Sequence, residues 1–166
     1  MSDAPVSGIQ GAVPPEELLG ILQSHPFLSG MPPELCRQLL PHALAAQFSP
    51  GDWIFREGDP ANRFYLIQSG DVVLESVDTD NNRVRLQTLG GGEVLGWSWL
   101  FPPYYWRFDA RAVTAVKAVF LHGEALRKEC DTNHELGYFL LKRTAGIVIQ
   151  RLQQTRQELT RVYNRQ

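Results

Sequence analysis

The sequence predicts a mainly β fold with flanking helices. Three observations predict it. Between Phe48 and Leu121 short apolar runs alternate with turn residues. Helix-type patterns lie on both sides of that stretch, and the C-terminal segment carries a long apolar seam. The 166 residues, 43% hydrophobic and 20% charged, match one globular domain of ordinary size. Fourteen glycines and eleven prolines point to many turns.

Residues 1–12 are small and polar and read as a flexible tail, and residues 13–166 as a single domain. Helices are expected within 13–47. Pro14-Pro15-Glu16-Glu17 opens the first, with prolines and acids where a helix N-terminus favours them. Its apolar side is Leu18, Leu19, Ile21 and Leu22, and His25-Pro26 ends it. Pro32-Pro33-Glu34 starts a second, carrying Leu35, Leu39 and Leu40. Residues 48–125 then read as strands. Trp53–Phe55, Phe64–Ile67, Val72–Val77, Val84–Thr88, Ala110–Val113 and Ala115–Leu121 are β-like runs, and Asp80-Asn81-Asn82 is a hairpin loop. So many short strands suggest a closed or double-sheet structure. Gly58 and Gly70 fall where the chain must reverse within two or three residues, a task for positive φ.

Helices are expected again over 126–164. Tyr138, Leu141, Ala145, Val148, Leu152, Thr155, Leu159 and Val162 alternate steps of three and four, an a/d seam of about three and a half heptads. A helix from Glu135 to Tyr163 is about 43 Å long at 1.5 Å per residue. Two arrangements suit it: a core helix folded back on the β body, or a self-associating helix. In the second, its first half packs on its own sheet and its second half on a partner. Lys142, Arg143, Arg151, Arg156, Arg161 and Arg165 make its other sides basic. They form a solvated face or meet an acidic partner or nucleic acid.

The formal charge of −2 gives no global attraction to nucleic acid or anionic lipid. No apolar run reaches the length of a membrane span, and the N-terminus lacks the basic and apolar parts of a secretory signal. Cys36 and Cys130 make neither a disulfide framework nor a metal spacing. A cytoplasmic protein is expected.

The order of parts resembles the cyclic-nucleotide-binding domain, and most nearly the sensor half of catabolite-activator/FNR-type regulators. Phe48-Ser49-Pro50-Gly51-Asp52-Trp53-Ile54-Phe55-Arg56-Glu57-Gly58-Asp59 is similar to that family's first strand pair and turn. Phe64–Val72, with Ser69-Gly70-Asp71, resembles its next hairpin, and Leu89–Gly96 the approach to its phosphate-binding cassette. Arg151–Thr155 resembles its dimer helix. The resemblance implies a double-stranded β-helix, a jelly-roll or cupin-like β-roll, with N-terminal helices and a long C-terminal dimerisation helix. It also implies a ligand: a cyclic nucleotide (cAMP or cGMP) or another small molecule.

In that family a glutamate binds the ribose and an arginine neutralises the cyclic phosphate. The matching segment here runs from Gly96 to Ala110, and the candidate ligand-binding residues are Gly96, Trp97, Ser98, Trp99, Arg107, Phe108, Asp109, Ala110 and Thr155. Trp97 stands at the ribose-glutamate position, where an indole offers one N–H donor and no acceptor. Counting forward from Gly96 places Arg107 at or beside the phosphate arginine. Aligning back from Asp109-Ala110-Arg111-Ala112 places Phe108 or Trp106 there. Thr155 matches a base-contacting residue and equally suits a register-setting polar residue in the seam. Of four Trp, five Tyr and eight Phe in the chain, seven lie in residues 97–108. They read as a filled pocket, as a stacking site for a flat ligand, or as a docking surface stiffened by Pro102-Pro103.

The expected function is a non-catalytic sensor, a homodimer through its C-terminal helix that signals to a protein partner. The alternative is a degenerate domain that binds no nucleotide and acts as a protein-interaction subunit through its aromatic cassette. A cupin-like metalloenzyme is a third reading. His25, His42, His122 and His134 are expected at the surface or as caps, since none has ligand spacing. Direct DNA binding is not expected, because only three residues follow Tyr163.

Overall fold

The computed structural model describes residues 12–165, so the expected tail lies almost wholly outside the described residues. Two compact units divide the chain, one ending at Lys128 and one starting at Glu129. In the first, α1 (Pro15–Ser24), a 3-10 turn (Pro26–Leu28) and α2 (Pro33–Leu39) precede eight strands. These are β1 (Ala43–Phe48), β2 (Trp53–Phe55), β3 (Arg63–Ser69), β4 (Val72–Val77), β5 (Arg83–Leu89), β6 (Val94–Leu95), β7 (Asp109–Ala112) and β8 (Val116–His122). α3 (Gly123–Thr132) follows.

The strands form two four-stranded antiparallel sheets, ordered β1-β8-β3-β6 and β2-β7-β4-β5. Between them lies a core that includes Phe48, Phe55, Tyr65, Ile67, Leu74, Leu89, Phe120 and Trp106. The first sheet is buried on both faces. Phe64, Leu66, Val119 and Leu121 point away from that core and are no more than 1% exposed. Phe27 meets Phe64 edge-on at 5.2 Å. His25 ties the 3-10 turn to this sheet: its Nδ1 accepts from Phe27 N–H (3.2 Å), and its Nε2 donates to the Ile67 carbonyl (3.0 Å). It is a cap, as expected, but buried rather than at the surface. Burial pushes its pKa below the ordinary histidine value.

Two boundaries differ from expectation. The β-roll begins at Ala43 rather than Phe48, because Ala43–Gln47 pairs with β8 residue for residue. Three alanines favour a helix locally, but a ready-made sheet partner overrides that preference. At the other end, α3 starts at Gly123, inside the segment expected as roll. Gly70 confirms its turn role. It has φ +92°, and a Cβ there would lie 2.2 Å from the Ala115 carbonyl oxygen.

In the second unit, α4 (His134–Tyr163) is capped by Asn133, whose side chain accepts from Leu136 N–H (3.2 Å). Its buried residues are Leu136, Leu140 and Thr144. This stripe steps by four and runs beside the a/d seam. Tyr138, Leu141, Ala145, Leu152, Thr155, Leu159 and Val162 are all exposed, and Val148 is half-buried. The first half of the helix therefore buries a different stripe from the one expected to pack, since a straight helix presents i, i+4 neighbours on one face.

Candidate functional site

The cassette is built on β6. Gly96 follows it with φ +88°, which turns the chain into a 3-10 helix at Trp97–Leu100. Trp99 is fully buried, tilted against Phe64 at 5.5 Å on the outer face of the first sheet. Trp97 is half-buried and meets Phe101 edge-on. Ser98 is buried. Arg127, on α3, donates to the Trp99 carbonyl and lays its guanidinium 3.9 Å over the Tyr104 ring. One side chain thus joins both ends of the loop.

Tyr104 has φ 60° and follows a cis Pro102-Pro103 bond. From there the chain is pinned to the Gly58–Ala61 turn. Ala61 N–H donates to the Tyr104 carbonyl (2.7 Å), Gly58 N–H to the Trp106 carbonyl (2.9 Å), and Trp106 N–H to the Asp59 carbonyl (2.9 Å). This drives the Trp106 side chain into the roll. Its ring stacks on Phe55 at 3.9 Å with planes 10° apart, and it is 4% exposed. Its edge lies over Gly96, where a Cβ would be 2.7 Å from the indole Cη2. Any larger residue at 96 would meet that ring. Arg107, the next residue, is exposed, and Phe108 packs at the margin of the core.

β7 alternates Asp109-Ala110-Arg111-Ala112. The alanines face the core, and the charged residues face away from it. Asp109 accepts from Glu57 N–H (2.8 Å), Arg56 Nε (3.2 Å) and Arg83 Nη1 (3.0 Å). Glu75 on β4 accepts from Arg111 Nη2 (2.8 Å) and Arg83 Nη1 (3.3 Å). Trp53 lies under all three arginines, with guanidinium carbons at 4.0, 4.8 and 5.9 Å from its ring. The Arg111 hydrogen bond holds Glu75 below the usual carboxylate range. At Asp109 burial pushes upward but is outweighed by Glu57 N–H and the arginines, so its pKa also falls. Asp109 thus serves this network rather than the cassette interior.

Trp97, Trp99, Trp106 and Arg127 therefore converge on one loop, while Arg107 points outward. Thr155 lies on α4, exposed, its hydroxyl donating to the Arg151 carbonyl (3.0 Å). Sequence reasoning missed the Arg127 clamp and the cage around Trp53. The Ala/charge alternation in Asp109–Ala112 was the available signal for the cage; nothing local marks Arg127. Burial pushes the Cys130 thiol up to about 11 and also raises Cys36, so both stay protonated near neutrality. Among the described residues no three His, Cys, Asp or Glu side chains gather where a metal ion would sit.

The family profile described as "Cyclic nucleotide-binding domain" matches residues 45–133. The chain belongs to that family. The curated proteins similar to it include the CRP-like cAMP-activated global transcriptional regulator of Mycobacterium tuberculosis, 27% identical over 139 residues. That match covers 84% of this chain and 60% of the relative, so the chain spans about three-fifths of its curated relatives' length. Among solved structures, the N-terminal domain of a transcriptional regulator from Streptomyces coelicolor is 27% identical with a TM-score of 0.64, over 84% of this chain and 94% of that one. The regulatory subunit of a cAMP-independent protein kinase A from Trypanosoma brucei is also 27% identical, with a TM-score of 0.66, over 80% and 47%. The shared architecture is the β-roll with flanking helices, and these relatives are named as transcriptional regulators or as a regulatory subunit. No helix among the described residues is long and apolar enough to cross a membrane.

Proposed function

We propose that this chain is a regulatory interaction module whose cassette is occupied by its own Trp106 rather than by a cyclic nucleotide, and that two copies pair through α4 to present a surface to a protein partner. The burial of Trp106 carries this reading. Its indole lies against Phe55 and over Gly96, inside the roll. Aligning back from Asp109 puts Phe108 or Trp106 at the phosphate-arginine position, neither of which carries a charge, and Arg107 is exposed. Arg56, Arg83 and Arg111, the arginines bordering β7, are committed to Glu75 and Asp109. An anion entering the roll would therefore meet aromatic faces in place of a guanidinium, and would lose its hydration uncompensated. Trp97 has an N–H donor but no acceptor for the ribose hydroxyl protons. The cAMP-independent relative from Trypanosoma brucei is a precedent for this fold regulating without cAMP.

Calorimetric titration with cAMP and cGMP tests the reading. Neither heat nor a melting shift is expected at millimolar nucleotide. Saturable one-site binding with Kd below about 100 µM, roughly 5.5 kcal/mol of affinity, would overturn it.

A further inference from the structure

The outer face of the second sheet presents its cations and buries its anions. The side chains of Glu75 and Asp109 are 7% and 6% exposed, against 48%, 40% and 31% for Arg56, Arg83 and Arg111. A guanidinium carries five N–H donors. The two carboxylates engage only Nε of Arg56, Nη1 of Arg83, and Nε and Nη2 of Arg111. Donors are therefore left on every one of the three, and each guanidinium is steadied by the Trp53 ring. Arg85 joins them from β5. It stands opposite Glu75 in the β4–β5 register, is exposed, and makes no ion pair among the described residues. Four arginines against two carboxylates leave two positive charges in excess, in a chain whose formal charge is −2.

Stability alone does not account for this excess. Half-exposed ion pairs contribute little, and Arg83 and Arg85, two apart on one strand face, repel each other. Arginines held by buried carboxylates and an indole are instead preorganised to receive anionic oxygens, with less side-chain entropy left to lose. The occupant that fits is an extended acidic segment. A single small anion on an open, half-exposed face stays hydrated and screened. The arginines are attached from the end of β2 across β7 to β5, three strand spacings or about 14 Å, the length of about four extended residues. Val77, exposed on the same face as Glu75, adds an apolar contact beside them.

We propose that the outer face of the β2-β7-β4-β5 sheet docks an extended acidic segment of a protein partner through Arg56, Arg83, Arg85 and Arg111. The proposal rests on the reading of this chain as an interaction module and names the chemistry of its partner. Anisotropy of a fluorescein-labelled hexaglutamate peptide tests it. Saturable binding is expected at about 50 mM salt, weakening as salt rises. Replacing Arg83 or Arg111 would strip a buried carboxylate of its cation, so the variants change the other two. R85E should weaken binding about tenfold and R56Q several-fold, with the circular-dichroism spectrum unchanged. R107E, an exposed cation on the cassette loop, should change affinity by less than about twofold. A peptide that does not bind, or binds R85E and R56Q as tightly as wild type, would overturn the proposal. Equal losses in R107E and R85E would do the same, by reducing the effect to overall charge. Inorganic phosphate should displace the peptide no better than chloride at equal ionic strength; displacement at micromolar phosphate would make this a small-anion site and refute the docking surface. Each of these failures leaves the Trp106 reading intact. Nucleotide binding in the roll, by contrast, would overturn that reading without moving peptide affinity.

Discussion

Trp106 occupies the interior of the roll because its neighbours leave it no other course. Backbone hydrogen bonds from Gly58 and Ala61 fix the loop on either side of it, Phe55 offers a flat face, and Gly96 withholds a side chain. Trp106→Ala should cost about 3–5 kcal/mol in urea unfolding, the range for emptying a large aromatic site in a packed core. Gly96→Ala should cost about 1–3 kcal/mol, since it combines a positive φ with a clash on the indole. A neutral result for either would place Trp106 outside the core. The Trp53 cage carries a pH prediction. Glu75 and Asp109 both have lowered pKa values when folded. Their stabilisation is therefore complete above the unfolded carboxylate range of about 4 and is lost as pH falls through the lowered folded values. His25 adds a loss in the same direction, beginning below its ordinary value, because its buried ring resists protonation. Urea melts across pH 7 to about 3 should show falling stability. Glu75→Gln with Asp109→Asn should lower stability at neutrality and flatten that fall. Half-exposed arginines keep the carboxylate effect to about 1 kcal/mol per pair.

At the scale of elements, α4 was legible from its alternating steps of three and four, and the β-runs from short apolar stretches bounded by turn residues. Alternation marked only Val84, Leu86 and Thr88, and the two-residue β6 was too short to stand out. β1 was not legible. Its Ala-Leu-Ala-Ala-Gln sequence has helical propensity, and only β8, more than seventy residues away, makes it a strand. The buried stripe of α4 was hidden for a related reason. Leu136, Leu140 and Thr144 step by four beside a seam of equal apolarity, and nothing local ranks one stripe above the other. Replacing Leu152 and Leu159 by Asp should leave the circular-dichroism spectrum of the roll unchanged and give monomers in light scattering. Both residues are exposed within the chain, so they matter only through a partner. An intact dimer in that variant would remove the seam from the account.

For the whole molecule, the order of helix, turn-rich strands and helix was enough to reach the β-roll, and the glycine turns fixed where it folds. The cassette was legible as an aromatic excess, but its three meanings could not be separated by sequence. Inward or outward placement of Trp106 and Arg107 depends on hydrogen bonds to the distant Gly58–Ala61 turn. The roll keeps its architecture while an indole fills the space over Gly96. The indole N–H of Trp106, identified with Trp106→Phe in a two-dimensional proton–nitrogen NMR spectrum, reports directly on that exchange of ligand for side chain. With millimolar cAMP its resonance should stay where it is in the free protein. A saturable shift of that resonance, with the ring leaving Phe55, would contradict the claim that Trp106 is the resident occupant of the cassette.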